Sequence, residues 1–203
     1  NDKVTYALEG SVFIGGAVVQ WLRDELNIIN KASQTEEYAN KVKSSEGVYI
    51  VPAFVGLGTP YWDNDARGTM FGLTRGTNKY HIARAAIESI AYQSKDVIEV
   101  MKKEAHLKLS TLQVDGGATA NNYLLQFQSD ILGCDIKVPQ VLETTALGAC
   151  YFAGLYTGFF KSQKDIRESH SYQKEFSPKM GKIESDKLYT GWKKAIKATR
   201  VFK

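Results

Sequence analysis

Residues 111–138 constrain the fold more than any other stretch. A strand-length run, Thr111 to Asp115, passes through Gly116 and Gly117 to an amphipathic segment, Asn121 to Leu132. Gly133 stops that segment before a second apolar run, Ile136 to Val138. Strands joined by a crossover of this length run parallel, because the connecting helix returns the chain to the starting end of the sheet. The chain is therefore expected to adopt an α/β fold, an open sheet with at least one parallel pair, packed against helices.

The remaining segments extend that pattern. Val4 to Leu8 reads as a short strand, and Gly10, Gly15 and Gly16 lead into a helix carrying Val18, Leu22, Leu26 and Ile29 at helical spacing. Ser33 and Glu36 form a capping-box pattern for a second helix ending near Lys43. Val48 to Phe54 and Thr69 to Thr74 read as paired strands joined by a loop rich in Gly, Pro and Asp, Gly56 to Gly68. Tyr80 to Lys103 places Ile82, Ala86, Ile90, Val97 and Met101 on one stripe, as in a long helix laid on a sheet. Thr144 to about Tyr156 is a helix whose Ala146, Gly148, Ala149 and Ala153 suggest close packing. A polar stretch, Lys161 to Lys182, leads to a final helix with Leu188, Trp192 and Ile196 on its apolar face. Lys187, Lys193, Lys194, Lys197 and Arg200 read as that helix's solvated face.

Composition narrows the function classes. A length of 203 residues with 43% hydrophobic and 24% charged content suffices for one substantial core. The net charge of +4 is dispersed apart from the last helix, which argues against nucleic acid as a partner. No apolar run reaches the roughly 20 residues of a membrane helix, so no membrane insertion is expected. Cys134 and Cys150 lack any metal-site or CxxC spacing and read as buried free thiols in a reducing, cytoplasmic setting. The chain opens on Asn1 and enters a strand-like segment almost at once, which suggests a piece of a longer protein.

Two glycine clusters could carry chemistry. Gly116 and Gly117 stand at the carboxyl end of a strand, where missing Cβ atoms allow a sharp turn and let a flat ligand approach. Asn121 follows at a helix start, able to cap the backbone or to contact a ligand. A mere tight turn explains these residues equally well; neither a dinucleotide fingerprint nor a P-loop is present. Gly16 and Gln20 lie one helical turn apart and could hold a base or ribose, or could be no more than a strand-to-helix connection. Asp115 reads as a turn acceptor or as a group approaching a phosphate or metal, Glu88 as a buried contact or helix-face charge, and His81, His106 and His170 as scattered structural residues without ligand spacing. Tyr61, Trp62, Asp63 and Arg67 either order their own loop or pack on another domain or subunit.

Gly68-Thr-Met-Phe-Gly-Leu73, His81-Ile82 and Ala85-Ala-Ile-Glu88 resemble the signature segment of the FGGY carbohydrate kinases. Tyr6-Ala-Leu-Glu-Gly10, Gln20-Trp-Leu-Arg-Asp24, Pro60-Tyr-Trp-Asp63, Ala66-Arg-Gly68, Gly72-Leu-Thr-Arg-Gly76 and Val114-Asp-Gly-Gly-Ala118 resemble its glycerol-phosphorylating branch. The resemblance implies an actin-like ATPase, ribonuclease H-like fold with a mixed sheet flanked by helices, residues 1–203 forming most of the second of two domains. It implies transfer of the ATP γ-phosphate to glycerol, giving sn-glycerol 3-phosphate and ADP, with Mg2+ as the metal and a homodimer or homotetramer as the assembly. The family's nucleotide contacts fall on Gly16, Gln20, Gly117 and Asn121. Its catalytic base is an Asp in a Gly-Asp-Gln segment, which these residues lack, so no catalytic residue is assigned here. Related readings are a xylulose or ribulose kinase of the same family and a non-catalytic actin-like nucleotide module.

Overall fold

A computed structural model describes residue 4 and residues 6–202. The parallel pair expected from residues 111–138 is present: β3 (Thr111–Gln113) lies beside β4 (Asp135–Pro139), with Leu112 opposite Ile136. Between them runs α4 (Asn122–Leu132), capped by Asn121 and ended by Gly133 in the left-handed conformation at φ 66°. β5 (Tyr172–Phe176) pairs antiparallel with the other edge of β4, giving the mixed order β3-β4-β5. β3 has no strand on its outer edge among the described residues.

A second ladder joins β1 (Tyr49–Val51) antiparallel to β2 (Thr69–Phe71), with Ile50 opposite Met70. β2 ends earlier than its sequence suggests because Gly72 turns at φ 78°, where an added Cβ would meet the Gly47 carbonyl oxygen at 2.0 Å. Leu57 and Asp63 exchange both backbone hydrogen bonds, which closes the intervening loop on itself.

The long α3 (Lys79–Ala105) packs against both regions. Its start is fixed by a reciprocal cap: Asn78 Oδ1 accepts from Tyr80 N at 3.0 Å, and His81 Nδ1 accepts from Asn78 N at 3.2 Å. On one side Tyr92 stacks on Trp192 at 5.3 Å and meets Phe127 edge-on, joining α3, α4 and α7 (Lys182–Val201) around Val51, Ile87 and Ile131. On the other side Val18 and Leu22 of α1 (Ala17–Asp24) pack with Ile29, Ile50, Ala83 and Ala86. A third cluster, Leu125, Leu132, Ile136 and Val138, lies between α4 and the β3-β4-β5 sheet. None of the described helices is long and apolar enough to cross a membrane.

Several expectations are corrected. Val4 and Tyr6 to Leu8 form no strand and are exposed; Thr5 lies outside the described residues. Ser33 makes no cap for α2 (Gln34–Asn40), because its backbone is already helical at φ −61° and its hydroxyl accepts neither N–H ahead of it. The Gln34 side chain instead accepts from Asn30 N and Lys31 N at 2.6 and 3.0 Å. The polar stretch after Lys161 contains α6 (Gln163–Ser169) as well as β5. α5 (Thr144–Thr157) does not pack closely: among its residues only Gly154 is buried, and Phe152 and Tyr156 are 77% and 94% exposed. Cys134 is buried but Cys150 is exposed.

The buried polar groups form two centres. Glu88 accepts from Arg84 Nε at 2.9 Å and Tyr123 Oη at 2.6 Å, while Arg84 also donates to the Ala39 and Val42 carbonyls. Burial pushes the Glu88 carboxyl above the usual range, opposed by Tyr123 and Arg84. Asp96 accepts from Tyr61 Oη, Tyr189 Oη, Trp192 Nε1 and Lys193 Nζ, at 2.8, 2.5, 2.7 and 3.2 Å. Lys193 and Arg200 are thus not merely solvated, since Arg200 reaches Asp63 at 3.4 Å. Within the loop, Arg67 donates to the Asn64 and Ala66 carbonyls.

Candidate functional site

The turn after β3 is built around one backbone conformation. Gly116 sits at φ 84° and ψ 179°, a region open essentially to glycine alone. A single 3-10 turn, Gly117–Ala120, follows, held by Thr119, whose N–H and hydroxyl both donate to the Gly116 carbonyl. Asn121 then leaves the helical region at φ −89° and ψ 101°, and its Oδ1 accepts from Leu124 N at 2.9 Å. Both readings of Asn121 remain compatible with this geometry, because a capping amide keeps an N–H and a lone pair to spare.

Gly16 starts α1, its carbonyl accepting from Val19 N and Gln20 N. The two glycine clusters, far apart in sequence, open on the same cleft of about 580 Å³, and Gly16, Gln20, Gly117 and Asn121 all line it. A Cβ placed on Gly16 or on Gly117 would meet no atom within 4 Å, so both glycines present bare backbone to the open space. Val19, Ile87, Ile90 and Leu124 supply an apolar lining; Arg23, Glu36 and Asp115 supply charge. Volume, apolar lining and a few convergent polar groups are the attributes of a small-molecule site. Such a cleft can take a flat ring against bare glycine backbone and hydrogen-bond its edge.

Thr35 and Glu36 of α2 also line the cleft, and the sequence did not single them out for it. Asn121 Nδ2 donates to Thr35 Oγ1 at 3.2 Å, and Asn122 Nδ2 donates to Glu36 Oε1 at 3.1 Å. Ile90 was signalled only as a core residue by its helical spacing, and Ile87, one turn before it on α3, only as part of the Ala85-Ala-Ile-Glu88 segment. Asp115 accepts from the Thr144 hydroxyl at the start of α5 rather than from its own turn. Two other hollows, along Tyr61, Lys193 and Arg200 and along Met70, Lys194 and Val201, contain none of the four candidates. Among the described residues no group of three His, Cys, Asp or Glu side chains could hold a metal ion.

Residues 1–156 match the family described as "FGGY family of carbohydrate kinases, C-terminal domain". Over 203 residues the chain is 57% identical to a glycerol kinase of Staphylococcus epidermidis, covering all of this chain and 41% of that protein. It is 60% identical over 200 residues to a glycerol kinase of Fusobacterium nucleatum subsp. nucleatum, covering 98% of this chain and 40% of the relative. The chain thus spans about two fifths of the length of these relatives. The crystal structure of Plasmodium falciparum glycerol kinase with ADP superposes with a TM-score of 0.84 at 32% identity, over 91% of this chain and 36% of that one. Gluconate kinase from Lactobacillus acidophilus shares the fold, with a TM-score of 0.82 at 24% identity over 94% of this chain and 39% of that one. With a mixed sheet, flanking helices and a family match over most of its length, this chain belongs to the FGGY carbohydrate kinases, in the region of their C-terminal domain.

Proposed function

We propose that this chain is the nucleotide-binding domain of an ATP:glycerol phosphotransferase, in which Gly16 and Gln20 hold the adenosine of ATP or ADP from one side and Gly117 and Asn121 from the other. The observation that carries this reading is the convergence of the two glycine clusters on one cleft. The identity to glycerol kinases of two organisms supports glycerol as the acceptor.

In this reading the chain binds and orients the nucleotide, and the bare backbone at Gly117 admits the base while α3 and α4 exclude water from its apolar face. Phosphoryl transfer depends chiefly on such positioning and on neutralising phosphate charge. Mg2+ supplies that neutralisation when bound; no ligand for it is assigned within this chain. The carboxylate that accepts the glycerol proton belongs, in this proposal, to the part of the relatives' length that this chain does not span. The first strands of the domain belong there too in this proposal, and two observations support that division: β3 has no strand on its outer edge among the described residues, and Phe152 and Tyr156 of α5 are exposed. Closure of the two domains would bring the γ-phosphate to a glycerol hydroxyl. A cytoplasmic homodimer or homotetramer completes the proposal, and light scattering of the full-length protein checks the assembly.

The assay that tests the substrate is phosphorylation by the full-length protein of glycerol, xylulose and ribulose in parallel. Turnover of glycerol is expected; turnover of a pentulose with none of glycerol would overturn the assignment, and turnover of none would favour a non-catalytic nucleotide module.

A further inference from the structure

Thr35 is 1% exposed and stands in the first turn of α2, with no role assigned to it by the reading above. Its hydroxyl donates to the Ala32 carbonyl at 2.5 Å, which uses its only hydrogen. Toward Asn121 it can therefore only accept, and Asn121 Nδ2 lies 3.2 Å away. At the other end of the same amide, Oδ1 takes the backbone N–H of Leu124 at 2.9 Å. A peptide N–H is always a donor, so the orientation of the Asn121 amide follows from chemistry: oxygen to the α4 terminus, nitrogen to Thr35. A parallel tie runs alongside, from Asn122 Nδ2 to Glu36 Oε1 at 3.1 Å, and Lys174 Nζ holds Asn122 Oδ1 at 2.9 Å.

At a helix start the cap bond decides which end of the amide is oxygen but leaves the amide plane free to turn about that oxygen. Here the two ends are held by different elements, α4 and α2, and both bonds agree. We propose that Thr35 is a positioning residue for nucleotide binding: it fixes the Asn121 amide so that a hydrogen-bond donor, the remaining Nδ2 hydrogen, is what Asn121 offers to the bound nucleotide. The same contact holds α2 against α4 and sets the width of the cleft between them. This inference rests on the proposal that the cleft holds the nucleotide.

Titration of the full-length protein with ADP tests both statements separately. Thr35→Val keeps the shape and removes the acceptor; Thr35→Ser keeps the acceptor. Asn121→Ser keeps an uncharged capping oxygen and removes the amide donor. Losing one hydrogen bond's positioning should weaken ADP binding by Thr35→Val about fivefold, with Thr35→Ser at the unsubstituted affinity. In the Thr35→Val, Asn121→Ser double variant the loss should equal that of Asn121→Ser alone, because Thr35 acts through Asn121. Unchanged affinity in Thr35→Val, or losses that add in the double variant, would overturn the positioning role. Absence of ADP binding by the unsubstituted full-length protein, or unchanged affinity in both Asn121→Ser and Gly117→Leu, would instead overturn the nucleotide site itself, and the inference with it.

Discussion

Single residues carry the largest energetic stakes where charge is buried. Asp96 is 2% exposed and satisfies four donors from the loop and α7, so Asp96→Ala strands Tyr61, Tyr189 and Trp192 and should cost about 3 kcal/mol in a urea melt. Lys193→Ala removes the exposed partner and should cost less than about 1 kcal/mol; similar losses for the two would refute the hub. Glu88 presents a different case. Because burial raises its pKa in the fold, the folded state holds that proton more tightly than the unfolded chain. The stability this gives is complete below the usual carboxylate range and declines as pH rises from there through the raised pKa. Glu88→Gln should flatten that part of the profile of Tm against pH, and an identical slope in the variant would contradict it. At the cleft, Gly117→Leu should preserve the fold, since the space beyond its Cα is open, and should weaken ADP binding at least about tenfold if that space takes the base as proposed. Unchanged affinity by calorimetric titration would remove Gly117 from the site.

The helix starts show which local signals held and which failed. Asn78 and Asn121 both cap with their own side chains, and Asn121 with Gly133 delimits α4 where the sequence indicated. Ser33 with Glu36 has the same apparent signature and makes no cap bond, because the preceding turn already holds Ser33 in a helical conformation. Asn78→Ala is therefore expected to cost about 1 kcal/mol and Ser33→Ala only a few tenths; equal thermal shifts would show the cap assignment to be wrong. β5 escaped notice because Tyr172-Gln-Lys-Glu-Phe176 alternates burial with only its end residues aromatic, and Lys174 takes an inward, half-buried place by reaching Asn122 and the Thr119 carbonyl. The small residues of α5 suggested packing, yet small side chains permit close approach without supplying the surface to be approached.

At the scale of the whole molecule, the parallel β3-α4-β4 unit and the β1-β2 pair were legible because each rests on local periodicity and turn residues. The cleft was not. Gly16 with Gln20 and, far along the chain, Gly117 with Asn121 are each ambiguous locally, and only the folded chain brings them to one cleft. Thr35, Glu36, Ile87 and Ile90 enter only through the packing of α2 and α4 on α3, which no spacing in the sequence encodes. The proposed nucleotide site requires both turns at once. Amide hydrogen exchange of the chain with and without ADP tests it most directly. Slowed exchange is expected in residues 16–20 and 117–124 together, with α7 around Lys194 and Val201 unchanged. Protection at only one of the two turns, or confined to α7, would contradict it.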